Sequence, residues 1–154
     1  MAELRGIVIL VHVLAAFVFI AGYLGTNLLT ELARRNPDAA FRRSALAFST
    51  MFDRRLNAPG ATVVAPTGLL AVWAFGYSFL APWVVAAIVL YLALPLLGGL
   101  FWARVGRQID QALAADDQAT VDLLLRNPRN IAVSRVENLV VLAIIVLMVL
   151  RPTF

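Results

Sequence analysis

The sequence predicts an all-α fold: a polytopic membrane protein with a four-transmembrane-helix bundle and short amphipathic interfacial helices in the cytoplasmic loops. Two properties of the composition predict this fold: 62 % of the 154 residues are hydrophobic, and only 14 % are charged. The mean hydropathy of +0.86 comes from long apolar stretches, which are typical of membrane spans and not of a soluble core of this size. We therefore interpret residues 1–154 as a single transmembrane domain.

Four apolar stretches correspond to the predicted spans. They cover residues 7–29, 61–79, 83–102 and 131–150. The first is too long for the core of a signal peptide and no small-residue cleavage site follows it, so we expect it to be retained. The second and third are separated by "LAP" and form a tight helical hairpin. The fourth supplies only "NLVVLAIIVLMVL" before Arg151, so it must begin near Ile131 to reach the length of about 20 residues that a span needs.

The distribution of arginine predicts the orientation of the spans. All 13 basic residues are arginines, and all but Arg5 and Arg151 lie in the connections 30–60 and 103–135. The positive-inside rule places both connections in the cytoplasm and both termini outside. No basic motif with interleaved aromatic residues lies outside the spans, so we expect the lipid bilayer, and no nucleic acid, as a partner.

Both long connections contain predicted amphipathic helices. The first begins with Asn36 as N-cap and Pro37 at the first helical position. Its aromatic and small residues recur at helical spacing, with the arginines turned away from them: Phe41, Ala45, Phe48 and Phe52 against Arg42 and Arg43. This helix lies in the headgroup plane or packs on the spans. The second connection reads as one or two helices broken at Asp116 and Asp117, where a solvated cap is favoured over a metal pair, and Asn127-Pro128 ends the last.

His12 is the only histidine of the chain and lies inside the first span. At 3.6 residues per turn, every polar residue of that span falls on the stripe of His12, which must face the bundle interior because polar groups are costly against lipid. The stripe comprises Arg5, His12, Ala16, Phe19, Tyr23, Thr26 and Thr30, with Asn27 at its edge. Met148 and Tyr77 come to a similar depth, so we predict one site near the outer face formed by His12, Met148, Arg5 and Tyr77.

A second polar layer is predicted near the cytoplasmic ends of the spans. It contains Asn27, Arg54, Arg55, Arg135, Glu137 and Asn138. Arg135 and Glu137 are interpreted as an interfacial ion pair or as charges that snorkel to the surface. The alternative is that they form the gate of a transport pathway.

Three interpretations of His12 remain open at this point. The imidazole can donate a hydrogen bond that joins two helices. It can act as an axial ligand of haem iron, since neutral imidazole is the usual iron ligand. It can relay protons or contact a quinone. Met148 is either a packing residue or a second ligand.

Three segments carry a resemblance to a known family. "LVHVLAAFVFIAGYLGTNL", "DRRLNAPGATVVAPTGLL" and the terminal "VLMVLRP" resemble a bacterial family of four-span membrane proteins, domain of unknown function 2269. The histidine in the first helix, with Gly22 after it, is also similar to the copper-resistance D proteins and the HemJ-type protoporphyrinogen oxidases. The resemblance implies the bacterial cytoplasmic (inner) membrane as location. The HemJ-type likeness implies that His12 is a metal ligand to haem b.

The leading hypothesis is therefore a small membrane protein that binds haem b, with an electron-transfer or haem-related role. Met148, or His12 of a second copy in a homodimer, would complete the ligation, and Arg5 would pair with a propionate. One alternative is an accessory or scaffold subunit of a larger membrane complex, which would use the face around Tyr91, Pro95, Gly98 and Trp102. Its support is that no complete catalytic constellation is present. The other alternative is a small oligomeric transporter.

Overall fold

The computed structural model describes residues 2–152, and the secondary structure over that range is entirely helical. Seven α-helices are present in it: α1 Ala2–Arg35, α2 Ala39–Phe52, α3 Ala58–Ala74, α4 Pro82–Leu94, α5 Leu100–Ala114, α6 Gln118–Arg126 and α7 Pro128–Leu150. Two π-helical segments, Asp53–Asn57 and Pro95–Gly99, join α2 to α3 and α4 to α5 without a break in the helix. The predicted all-α class is confirmed.

The chain divides into two compact units. The first comprises the residues up to Ala33 together with Ser44–Ala81, and the second comprises Arg34–Arg43 together with the residues from Pro82 onward. The first unit holds most of α1, the later part of α2, and α3. The second holds α4 to α7.

Two helices of the described range are long and apolar enough to cross a membrane. They are α1, over Glu3–Arg35, and α7, over Pro128–Leu150, and only 6 % of the most apolar stretch of each is buried. Apolar side chains that remain uncovered over a full span length suit a lipid environment. Of the four predicted spans, the first and the last thus correspond to candidate spans of the structure. The other two lie on shorter α-helices, since α3 has 17 residues and α4 has 13.

The π-helical segments begin or end where proline interrupts the α-helical ladder. Pro95 opens the second segment, and Pro59 follows the first. Proline has no N–H to donate to the residue four positions before it, so the ladder locally adopts i→i+5 bonds. One such bond runs from the N–H of Ala58 to the carbonyl of Asp53.

Glycines bring the helices of the first unit into close contact. A Cβ atom on Gly60 of α3 would lie 2.6 Å from the backbone nitrogen of Phe19 on α1. A Cβ atom on Gly22 of α1 would overlap the backbone nitrogen of Asn57 in the first π-helical segment. The two glycines therefore line opposite sides of one helix contact in which backbone meets backbone.

The second unit has an apolar interior formed by its own helices. α4 packs along α7, with Trp83, Val84 and Ala87 of α4 and Val141 of α7 buried. α5 packs against α6, and Val121 of α6 is fully buried. Helices α5 and α6 are amphipathic, as predicted for the second connection.

Local signals set the ends of the helices in the connections. The break at Asp116 and Asp117 is confirmed, because α5 ends at Ala114 and Asp117 caps α6 by accepting from the backbone N–H of Thr120 at 3.0 Å. The hydroxyl of Thr120 and then its backbone N–H hold the pKa of Asp117 below its usual value, because both stabilise the carboxylate. Asn127 caps α7 through the N–H of Arg129, with Pro128 at the first helical position.

The predicted start of α2 is wrong by two residues. Asp38, not Asn36, caps the helix, since its Oδ1 accepts from the N–H of Ala40 at 2.9 Å. Asn36 instead forms a turn of its own by accepting from the N–H of Asp38. Both bonds run from residue i+2 to the side chain of residue i, the pattern of an Asx turn. The sequence alone did not distinguish the two successive caps.

The predicted faces of α2 also require a correction. Arg42 was expected to turn outward, yet its side chain is only 7 % exposed and its guanidinium lies 3.4 Å from the carboxylate of Asp122. Phe41 and Phe48 are exposed instead. The Arg42 guanidinium is buried because it pairs with Asp122 and donates to the carbonyl of Asn36. The exposed phenyl rings suit a helix in the headgroup plane.

Candidate functional site

The imidazole of His12 is held by α3. Nδ1 lies 3.2 Å from the hydroxyl oxygen of Thr67, and that hydroxyl lies 2.7 Å from the carbonyl oxygen of Val63. A hydroxyl has one proton, which the bond to the carbonyl uses, so the Thr67 oxygen accepts from Nδ1–H. This network assigns the proton of a neutral imidazole to Nδ1 and leaves the lone pair on Nε2.

A glycine makes room for the imidazole against α3. A Cβ atom on Gly68 would lie 3.1 Å from Cε1 of His12 and 3.9 Å from Nε2. Any side chain at this position would press on the ring, because contacts of 3.0–3.4 Å are tighter than most real Cβ contacts. Thr67 and Gly68 therefore set the orientation and the position of the ring together. Sequence reasoning missed both, since a contact over 55 residues of sequence leaves no local signal.

Arg5 and Tyr77 both contact Phe75 at the end of α3. Gly76, with a φ of +74°, closes that helix with a Schellman motif, in which Tyr77 N–H donates to Val72 and Gly76 N–H to Trp73. Nε of Arg5 donates to the Ala74 carbonyl at 2.7 Å, and its guanidinium lies 5.9 Å from the centre of the Phe75 ring, on which Tyr77 stacks. The cation thus satisfies a terminal carbonyl of the helix.

The predicted outer site is divided between the two units. Arg5, His12 and Tyr77 belong to the first unit and Met148 belongs to the second. Arg5 and Tyr77 share the aromatic group around Phe75, and His12 lies two turns along α1 from Arg5. The site of four residues stays a prediction.

The members of the predicted inner layer are also divided. Asn27, Arg54 and Arg55 lie in the first unit, and Arg135, Glu137 and Asn138 lie in the second. Asn27 donates to the carbonyl of Tyr23 on its own helix. The side chains of Arg54, Arg55, Arg135 and Asn138 are exposed, whereas Glu137 is buried.

Glu137 forms the most enclosed carboxyl of the candidate spans. It is 9 % exposed, and its Oε2 accepts from the indole N–H of Trp102 at 2.8 Å. Its Oε1 lies directly against Gly98 in the second π-helical segment, where a Cβ atom would overlap it. The structure gives Glu137 no arginine at ion-pair distance among residues 2–152. The predicted pair with Arg135 is not formed, because residues two apart point to different sides of a helix.

The face predicted for a scaffold role is partly used inside the second unit. Gly98 and Trp102 both contact Glu137. Pro95 is exposed and Tyr91 is half-buried. In the described range, no group of three or more histidine, cysteine, aspartate or glutamate side chains is arranged to hold a metal ion.

The all-helical fold with its two candidate spans is typical of an α-helical integral membrane protein. A family model described as "Predicted integral membrane protein (DUF2269)" matches residues 6–152. The chain belongs to this family. No curated protein and no solved structure matches it, so the likeness to copper-resistance D proteins and HemJ-type oxidases stays a hypothesis.

Proposed function

We propose that this membrane protein binds haem b through Nε2 of His12 and has a redox or haem-related role. The observation that carries the proposal is the bond between Nδ1 of His12 and the hydroxyl of Thr67. Histidine ligands of metals are usually oriented by a hydrogen bond from the other ring nitrogen, which fixes the tautomer and exposes the ligating lone pair.

His12 would supply a ligand to the haem iron, and Arg5 would supply a partner for a propionate. Arg5 precedes His12 by two turns of α1, about 10 Å at 1.5 Å per residue. Because its Nε is bonded to the Ala74 carbonyl, its terminal nitrogens are those that would pair with a carboxylate. The bound haem would supply one-electron chemistry at its iron. Met148, or His12 of a second copy, would complete the ligation.

A difference spectrum tests the proposal. We expect the detergent-purified protein, expressed with ample haem, to show a reduced-minus-oxidised spectrum of haem b that His12→Ala abolishes. Thr67→Val keeps the ligand but removes its orienting acceptor, so haem should remain with a changed midpoint potential. Met148→Leu tests whether Met148 would be a second protein ligand, through a shift of the reduced bands. Gly6→Ala, on the same helix and without a neighbour within 4 Å, is the matched control.

A colourless wild type at good yield would overturn the haem proposal. The second candidate, a small oligomeric transporter, would then gain support from Glu137, since a buried carboxyl in a candidate span is a common feature of substrate and proton pathways.

We further propose that all four apolar stretches cross the inner membrane, two in each unit, with both termini outside. The support is that α3 and α4 are parts of uninterrupted helical runs, 39–74 and 82–114, that continue through the π-helical segments. α4 also packs along α7, itself long enough to span. Arginines concentrate in the two long connections, which favours a cytoplasmic location for both.

Single-cysteine labelling tests this topology, since the chain has no cysteine. Ser44 lies in the first long connection and Ser78 lies in the turn between α3 and α4, and both are exposed. The proposed topology places them on opposite sides of the membrane. We expect a membrane-impermeant maleimide to modify Ser78→Cys in intact bacterial cells, and Ser44→Cys only after permeabilisation. The unsubstituted chain is the blank. Modification of Ser44→Cys in intact cells would contradict the proposed orientation.

A further inference from the structure

A groove of about 360 Å³ lies in the second unit, where α5, α6 and the start of α7 meet. Polar side chains on its wall are Arg104, Gln108, Asn127, Arg129 and Asn130, and no acidic residue lines it. Five donor-bearing side chains with two guanidinium groups and no carboxylate make a cavity suited to an anion.

Among the described residues, the two arginines of the groove lack the acidic partners that three other arginines of the second unit have. Arg42 and Arg126 pair with Asp122, and Arg43 pairs with Asp116. Over residues 2–152, the structure gives neither Arg104 nor Arg129 an acidic partner within 4.0 Å. The groove thus keeps two uncompensated positive charges although its helices also carry aspartates.

Arg129 is held in place by an aromatic ring. Its guanidinium lies 5.5 Å from the centre of the Phe101 ring, at the distance of a cation–π contact. A guanidinium held over a ring still has N–H groups available for bonds to a phosphate. The N-terminal end of α7, capped by Asn127, adds positive potential at the same place.

One edge of the groove is apolar and uncovered. Leu100 lines it and is 80 % exposed, next to Phe101. The candidate span of α7 begins at Pro128, so the groove lies where that span meets its polar end. A ligand with a phosphate and an attached hydrocarbon chain would match both the arginines and this edge, whereas free phosphate would use only the arginines.

We propose that this groove binds the phosphate group of an anionic phospholipid headgroup. Arg104 and Arg129 bind the phosphate oxygens, the amides of Gln108 and Asn130 border them, and an acyl chain runs over Leu100. The site is independent of His12 and of haem.

Native mass spectrometry of the full chain, in detergent with equal amounts of phosphatidylglycerol and phosphatidylcholine, tests the proposal. We expect preferential retention of phosphatidylglycerol. Arg104→Gln with Arg129→Gln should weaken it about tenfold or more, since two charge-assisted contacts are lost. Phe101→Leu should weaken it less, because the charges remain and only the stacking is removed. Arg54→Gln with Arg55→Gln, two exposed arginines of the first unit, is the control with the same change in charge.

Three results would overturn the proposal. One is equal retention of the two lipids by the wild type. The second is an equal loss in the Arg54 and Arg55 control, which would indicate general attraction to basic side chains. The third is complete displacement of phosphatidylglycerol by inorganic phosphate, which would make the groove a site for free phosphate. Both arginines are exposed, so their replacement should leave the fold intact, and an unchanged elution volume checks this.

Discussion

Gly22→Ala and Gly60→Ala are expected to destabilise the first unit by about 3 kcal/mol each, the upper part of the usual range for overpacking. The added methyl group at residue 60 would lie 2.6 Å from the backbone nitrogen and 2.7 Å from Cα of Phe19. At residue 22 it would overlap the backbone of Asn57. A backbone cannot rotate away as a side chain can, so α1 must move as a whole.

A graded series of glycine variants separates this effect from the general consequences of replacing glycine. Gly25 faces the ring of Phe52, a side chain that can turn, so Gly25→Ala should cost less than Gly22→Ala. Gly6 lies on the same helix and has no neighbour within 4 Å of its added Cβ atom. Gly6→Ala should therefore raise the free energy of unfolding by up to about 1 kcal/mol through helix propensity.

The free energy of unfolding in mixed micelles, followed by circular dichroism during titration with dodecyl sulfate, measures the series. Equal stability of Gly22→Ala, Gly60→Ala and Gly6→Ala would contradict the close helix contact. A loss confined to Gly22→Ala and Gly60→Ala would show that α1 packs on α3 and the first π-helical segment through backbone contact.

The features that the sequence predicts correctly depend on short stretches. The break at Asp117 follows from a side chain that caps the helix through the N–H three residues ahead. The end of α6 before Pro128 follows from a proline that has no backbone N–H to continue the helix. The same local reasoning was wrong at Asn36, where two capping residues compete for one helix start. It also misplaced Arg42, because the carboxylate of Asp122 that favours burial lies 80 positions away in the chain (122 − 42).

Of the residues at the imidazole site, only His12 itself could be predicted from the sequence. The isolation of His12 in an apolar helix singles it out as a polar group that needs a partner. Its partners Thr67 and Gly68 depend on the register between α1 and α3, and Thr67 is an ordinary residue of an apolar segment when considered alone. Glu137 was likewise named as a member of the predicted inner layer, but helix periodicity could not identify an indole donor on another helix.

Trp102→Phe is expected to lower the free energy of unfolding by about 2–3 kcal/mol, the second large effect. The ring that remains still fills most of the space, but the N–H that bonds to Glu137 at 2.8 Å is lost. Leaving a buried carboxyl without its hydrogen-bond donor costs about 1–3 kcal/mol of protein stability, and more where the carboxyl is charged. Trp73→Phe, at a tryptophan that is 62 % exposed, is the matched control and should change stability by less than about 0.5 kcal/mol.

A double-mutant cycle isolates the hydrogen bond from the loss of packing. Glu137→Met removes the buried polar group and retains a flexible chain against Gly98, so it should cost less than Trp102→Phe. In the double variant the carboxyl that needed the donor is absent. The stability lost by the double variant should therefore be about 1–2 kcal/mol smaller than the sum of the losses of the two single variants.

The sign of the coupling decides how Glu137 is tolerated in a candidate span. A favourable coupling between residues 102 and 137, with Trp73→Phe unchanged, would mean that the indole compensates for the burial of the carboxyl. The second π-helical segment would then have a structural role, since it brings Gly98 against the same carboxyl. Additive losses would mean that Glu137 finds another donor and that Trp102 contributes only its apolar surface. The burial of the carboxyl would then have to be compensated from outside this contact.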